Sequence, residues 1–225
     1  MNFSYNFKRD DFKWGIELNG FQTNFQLYNS NDRKINQMES TTEINSFGNY
    51  RVVRKKLICN LGLRNQYYAS LGNGSLEPRF QLRYMPWKSV GIKFAMGMYS
   101  QNLLSAMSDR DVVNLFYGFL SGPDNLPDSF NGKPVTTRLQ KARHAVAGFD
   151  YRINKKQTIN IESFVKIFDQ ITNINRDKLF ADDEFNLDKP KRLRQDFIVE
   201  NGNAYGGDIS YKYSDKHWYL DRKST

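Results

Sequence analysis

Residues 76–100 constrain the fold more than any other stretch, because they hold two alternating runs joined by a turn too short to carry structure of its own. In the first run Phe80, Leu82 and Tyr84 share one face, while Arg79, Gln81 and Arg83 share the other. Past Pro86, Trp87, Lys88 and Ser89, the second run groups Val90, Ile92, Phe94, Met96 and Met98 and sets Gly91, Lys93, Ala95, Gly97 and Tyr99 opposite them. A period of two belongs to a β-strand, and the tight connection makes an antiparallel hairpin with one apolar and one polar or small-residue face. Such a hairpin suits a soluble sandwich, or a transmembrane barrel whose apolar residues meet lipid while polar ones line the lumen.

Recurrence of the pattern separates the two. Phe3, Tyr5 and Phe7 alternate with polar neighbours. Trp14, Ile16 and Leu18 then share a face up to Gly20, after which Phe21, Thr23, Phe25 and Leu27 continue out of phase, so a β-bulge is expected beside the glycine. Residues 29–37 read as a loop and 42–52 as a weaker strand; 57–69 form another, closed by Gly72-Asn73-Gly74. Pro78 is expected near a strand start, where it costs no ladder bond. Across residues 101–142 the alternation stops, and Val112, Leu115, Phe116, Phe119 and Leu120 recur at helical spacing behind Ser108, which predicts a short helix on a long loop. Strands resume around residues 144–151, 159–172 and 194–213, with a charged loop over 173–193 and a last strand beginning at Trp218.

The count is about ten long antiparallel strands in up-and-down meander order, an all-β chain. Short turns at Arg9, Val53, Pro86, Asn154 and Ser214 alternate with longer connections at Asn29, Leu71, Gln101 and Asn173. Transmembrane barrels sort their loops in this way, with tight turns at one end and extended extracellular loops at the other. Trp14, Tyr84, Trp87, Tyr213 and Trp218 are placed as interfacial girdle residues.

Composition fits amphipathic strands. The 225 residues include thirteen Tyr and seventeen Phe, yet mean hydropathy is negative. No window approaches the roughly 18 apolar residues of a spanning helix. The net charge of +9 raises nucleic acid as a partner, but the basic residues are scattered and gather only at Arg51, Arg54, Lys55 and Lys56 and at Lys189, Lys191, Arg192 and Arg194, both read as solvated connections; no nucleic-acid role is expected. Cys59 falls in an alternating run with Leu57, Leu61 and Leu63 and reads as a small apolar strand residue.

Leu76-Glu77-Pro78-Arg79-Phe80, Tyr99-Ser100-Gln101, Asp111-Val112-Val113-Asn114-Leu115-Phe116, residues 144–151, Ser163-Phe164-Val165-Lys166 and Gly202-Asn203-Ala204-Tyr205-Gly206-Gly207-Asp208 resemble, in that order, the barrel of TonB-dependent outer-membrane receptors, particularly those of Bacteroidetes. The resemblance implies an open, curved part of a transmembrane barrel of about 22 strands closed around a plug. Over residues 1–225 neither plug, TonB box, signal sequence nor terminal strand is recognisable, so an internal fragment of the barrel domain is expected. The implied role is uptake of a scarce nutrient such as a siderophore, cobalamin or an oligosaccharide, in the outer membrane of a Gram-negative bacterium. The implied partners are outer-membrane lipid, the plug and remaining strands, the TonB complex reached through that plug, and the small nutrient ligand. The alternative is a self-contained soluble β-sandwich that binds carbohydrate or protein.

No enzyme, cofactor or metal site is expected. His144 and His217 have ordinary explanations as a lumen-facing and a turn residue, and no nucleophile motif accompanies them. Asp182, Asp183 and Glu184 lack the spacing of a calcium loop and read as a solvated run. Gly72-Asn73-Gly74 and Gly206-Gly207 precede no helix and are assigned to turns and lumen packing. The loops over 109–119 and 173–193 are the expected contributors to ligand recognition; individual substrate-binding residues stay unassigned.

Overall fold

The computed structural model describes residues 1–28, 31, 33–106, 118–123 and 126–224. Ten strands form one antiparallel sheet. In chain order the strands are β1 Asn2–Asn6, β2 Asp10–Tyr28, β3 Lys34–Val53, β4 Leu57–Tyr68, β5 Asn73–Trp87, β6 Val90–Gln101, β7 Leu103–Ala106, β8 Gly118–Ser121, β9 Ser129–Phe130, β10 Lys133–Pro134, β11 Gln140–Arg152, β12 Gln157–Ile174, β13 Phe197–Ser214 and β14 Tyr219–Ser224. The large sheet runs β1-β2-β3-β4-β5-β6-β11-β12-β13-β14, and the hairpins β7–β8 and β9–β10 lie outside it. Every neighbour in the large sheet is also the next long strand in sequence, so the order is a meander with two open edges, β1 and β14.

The register carries the two faces across the whole sheet. Leu61 lies opposite Phe80, Phe80 opposite Met96, Met96 opposite Ala145, Ala145 opposite Val165 and Val165 opposite Tyr205. Among the described residues no second layer covers this apolar face: Leu18 is 72% exposed, Met96 51% and Ile209 57%. In a sandwich these side chains would be buried between sheets. An uncovered apolar face crossing a whole sheet far exceeds what a water-soluble monomer presents, and the sandwich alternative is thereby set aside.

The opposite face is concave at the long-loop end. There the β2–β3 connection reaches across to the β12–β13 connection, where Asn31 Nδ2 donates to the Arg176 carbonyl at 3.1 Å. Phe25 and Ile35 on one side and Phe197 on the other join one buried cluster with Leu104 and Leu120.

Several boundaries differ from the sequence reading. β2 and β3 pair without a slip from Asp10↔Val52 to Tyr28↔Lys34, so no bulge exists at Gly20, and the 29–37 loop shrinks because β3 begins at Lys34. The phase change has another cause. Beyond Gly20 and Thr42 most outward residues are polar (Gln22, Asn24, Gln26, Ser40), with Met38 and Tyr28 the exceptions, and the apolar Phe25 and Ile35 pack inward under the loops instead. The hairpin therefore continues past the apolar band, and its two halves follow different rules of burial.

The connection after β4 is also shorter than expected, a single 3₁₀ turn Ala69–Leu71 followed by Gly72 at φ 61°, a left-handed conformation that glycine adopts without strain. Sorting of connections by length therefore rests on the segments between β6 and β11 and between β12 and β13. Val112, Leu115 and Phe116 of the expected helix lie outside the described residues, and Phe119 and Leu120 belong to strand β8. β13 starts at Phe197 rather than Arg194, and the segment before it contains the 3₁₀ turns Glu184–Asn186 and Lys191–Leu193. Of the girdle residues, Tyr84, Trp87 and Tyr213 stand at the short-turn end, whereas Trp14 lies within β2, stacked on Phe3 at 4.5 Å.

Candidate functional site

The concave face is lined by charged and ring side chains held in place by glycines on neighbouring strands. Lys93 on β6 stands opposite Arg83 on β5, an unfavourable pairing of like charges. Two carboxylates relieve it. Asp150 on β11 accepts from Lys93 Nζ at 2.7 Å and from Arg83 Nη2 at 3.3 Å, and Glu162 on β12 lies 3.4 Å from Lys93 Nζ. Those reaches are possible because Gly91, opposite Asp150, and Gly148, opposite Glu162, have no side chain: a Cβ on Gly91 would stand 3.3 Å from Asp150 Oδ2 and one on Gly148 3.1 Å from Glu162 Cγ. Lys223 and Asp208 continue the belt at 3.2 Å.

A second group sits nearer the long loops. Pro78 has no N–H to give, and the β5–β6 ladder ends beside it at Arg79↔Gly97. The neighbouring carboxylate of Glu77, 1% exposed, accepts from the Ser100 backbone N–H at 2.8 Å, from Ser100 Oγ at 2.7 Å and from Arg79 Nη2 at 2.8 Å, with Arg64 Nη1 at 4.0 Å. Pro78 is therefore not near a strand start, since β5 begins at Asn73; it ends the β5–β6 ladder, and the adjacent glutamate takes up the donor set free. The arginine beyond it covers a stack of rings. Tyr99 folds back over Gly97, with its hydroxyl 3.0 Å from where a Cβ would stand, between the Arg79 guanidinium at 4.8 Å and the His144 ring at 4.7 Å. Phe168 closes the row edge-on to His144 at 6.3 Å.

Phe164 repeats the device on β12, lying over Gly206 of β13 with Lys166 Nζ 5.4 Å above its ring. Ring atoms of Phe164 come within 2.8 and 2.9 Å of a Cβ placed on Gly206, whereas nothing lies within 4 Å of one on Gly202. Gly206→Val is expected to displace the ring and cost about 1–3 kcal/mol. Gly202→Val should stay within about 0.5 kcal/mol of the parent. Urea midpoints in detergent micelles compare the two, and equal midpoints would remove the packing role assigned to Gly206.

Most residues singled out in the sequence have local explanations. His144 faces the concave side, as expected, and His217 lies in the β13–β14 turn. That turn is tied to the β11–β12 turn by Lys156 Nζ to Asp215 Oδ2 at 2.8 Å, and the hydrogen bond from Lys156, with the Lys216 backbone N–H behind it, holds the Asp215 carboxyl below its usual range. The acidic run divides: Asp182 accepts from Arg194 Nη1 at 2.5 Å, Asp183 accepts from Asn186 Nδ2 at 2.7 Å, and Glu184 opens a 3₁₀ turn. Gly206 serves packing, as assigned. Glu77 went unnoticed as a site residue although Pro78 marks the place, because the broken ladder it serves is visible only once register is known.

One antiparallel meander, uncovered and apolar on one side, ion-paired and ring-lined on the concave other, is the wall of a transmembrane β-barrel. No family model matches the sequence, and the comparison with curated proteins finds no match. Among solved structures the fold is that of the barrel of TonB-dependent outer-membrane receptors. The ferric enterobactin receptor of Pseudomonas aeruginosa superposes with a TM-score of 0.61 at 12% identity, over 94% of this chain and 32% of that one. The FrpB iron transporter of Neisseria meningitidis gives 0.57 at 12% identity, over 95% and 33%. The RagAB peptide importer gives 0.58 at 12% identity, over 99% and 28%. The chain thus spans about a third of the length of the structures it matches.

Proposed function

We propose that these ten strands are part of the barrel wall of an outer-membrane receptor that imports a scarce nutrient, a siderophore, cobalamin or an oligosaccharide, rather than an enzyme or a soluble binding module. The observation that carries this reading is the sidedness of the single sheet: the apolar face suits acyl chains, and the concave face, lined by Arg64, Glu77, Arg79, Lys93, Asp150 and Glu162, suits a solvated lumen. In a bilayer every backbone polar group must be paired, so the open edges β1 and β14 require further strands to close the barrel. A plug filling the lumen, and the TonB complex acting through it, complete the proposed machinery. Receptors and transporters among the structural neighbours support this reading.

Fractionation combined with a growth test checks it. The gene product should partition with the outer membrane, and disrupting the gene should impair growth when one nutrient (iron chelate, cobalamin, peptide or oligosaccharide) is limiting, in a manner abolished by collapsing the proton gradient. Recovery of the protein in a soluble fraction would overturn the proposal.

A further inference from the structure

Basic residues that lie far apart in the sequence are gathered by the meander onto one edge of the sheet. The five short connections, residues 7–9, 54–56, 88–89, 153–156 and 215–218, hold nine Lys or Arg and a single carboxylate, Asp215. The β12–β13 connection at the opposite end, residues 175–196, balances six of each sign and ties them into ion pairs such as Lys178–Asp196, Arg192–Asp177 and Arg194–Asp182. Of the nine cations at the short-turn end, only Arg54, held by Asp10 at 2.6 Å, and Lys156, held by Asp215 at 2.8 Å, have a carboxylate partner among the described residues. The other seven are exposed.

Backbone hydrogen bonds fix these turns into one row. The Val53 N–H donates to the Arg9 carbonyl at 3.2 Å, the Met85 N–H to the Lys56 carbonyl at 2.7 Å, the Arg152 N–H to the Ser89 carbonyl at 2.8 Å and the Ser214 N–H to the Lys156 carbonyl at 2.8 Å, so each turn is tied to the next. Successive turns lie two strands, about 10 Å, apart, close to the screening length of about 8–10 Å in physiological salt. The charges therefore act as one positive field, which costs stability unless something negative faces it. Exposed rings mark the level at which it sits. Phe7 precedes Lys8, Trp87 precedes Lys88, and Trp218 follows Lys216 and His217. Lys88 is two residues from Val90, where the apolar band of β6 begins, a step of about 7 Å. Aromatic rings settle at the headgroup level of a bilayer, and long basic side chains beside them reach the phosphates.

We infer that the short-turn rim binds the phosphate groups of anionic phospholipids in the leaflet next to it, so that this stretch of wall selects acidic lipid over zwitterionic lipid. The inference rests on the proposed barrel-wall reading, which sets that rim in the periplasmic leaflet. An acidic protein would answer the charge as well, but the exposed rings and the apolar band that begins beside the cations make a bilayer the neighbouring surface.

The test reconstitutes the complete gene product in phosphatidylcholine vesicles that carry a minor fraction of spin-labelled phosphatidylglycerol or, in a parallel set, spin-labelled phosphatidylcholine, and measures how much of each lipid is immobilised at the protein surface. The parent should favour the anionic lipid by about fivefold or more, the contribution of one basic residue at an anionic surface, and lose that preference as salt is raised. Combining Lys8→Gln, Lys55→Gln and Lys88→Gln, one from each of three turns, should bring the two lipids toward equal partitioning, whereas arginine at the same three positions keeps the preference. Lys189→Gln with Lys191→Gln, at the opposite end, should leave it unchanged. A parent without preference, or a glutamine triple variant that retains all of it, overturns the inference while leaving the barrel-wall reading intact; no preference together with tight binding of polyglutamate would give the rim to an acidic protein. Displacement of the lipid by dissolved phosphate at constant ionic strength would overturn it in favour of a free anion. Failure of the protein to insert into vesicles at all overturns the barrel-wall reading, and the lipid rim with it.

Discussion

Glu77→Ala is expected to be the most damaging single substitution on the concave face, lowering stability by about 3 kcal/mol or more. The carboxylate is buried and satisfies three donors from two residues, the Ser100 N–H, the Ser100 hydroxyl and Arg79, with Arg64 close by. Deleting it strands a backbone N–H where Pro78 leaves the β5–β6 ladder open and removes the carboxylate that both Arg79 and Arg64 approach. Removing one partner of a buried pair typically costs about 3–5 kcal/mol, and the lower end applies here because Arg79 is 38% exposed and water screens part of its loss. Glu77→Gln keeps the shape and one acceptor oxygen, so it should recover the Ser100 contact but not the ion pair and fall between parent and alanine. Urea unfolding in micelles, followed by the shift in electrophoretic mobility between folded and unfolded barrel, measures all three. An alanine variant within about 0.5 kcal/mol of the parent would show that the ladder break is tolerated without its glutamate.

How much of the fold is legible in the sequence follows from how local each feature is. Alternation in 76–100, 144–151 and 194–213 is a property of adjacent residues, so the strands, their order and the identity of the apolar face were legible, and the register bears them out from Leu61 across to Tyr205. Strand ends were not, because β2 and β3 run on past the apolar band and their inward residues there pack against loops distant in sequence; Phe25 out of phase looked like a slip when it was a change of surroundings. The concave wall was half legible. Its charges could be assigned to a face by parity, but Asp150 reaching over Gly91, Glu162 over Gly148 and Tyr99 over Gly97 each involve a glycine whose role depends on which strand lies beside it. The proline at 78 was the one local sign of the Glu77 site, and it points there only when β5 is known to begin five residues earlier.

Phe94→Arg tests the opposite face. Phe94 sits in the outward row between Leu82 and Ala147, at the middle of an apolar band that runs on β6 from Val90 to Met98. At ~3.3 Å per residue that band is about 26 Å along the strand, or about 20 Å along the membrane normal for strands tilted by ~40°. A guanidinium near the middle of such a band faces hydrocarbon, and the expected loss is about 2–4 kcal/mol, falling to about 0–1 kcal/mol toward the interfaces. Asn49→Arg, exposed on the concave face, should change stability by no more than about 0.5 kcal/mol, because a solvated lumen accommodates charge. The gradient separates lipid from a protein core. If acyl chains cover this face, Val90→Arg at the rim is milder than Phe94→Arg, and the difference shrinks in thinner bilayers as the interface moves toward position 94. If instead another protein layer covers it, the penalty follows local packing and ignores bilayer thickness. Folding yields of the three variants in phospholipid vesicles of graded acyl-chain length decide between the two, and a thickness-independent loss at Phe94 would mean that this greasy surface was made for a protein partner.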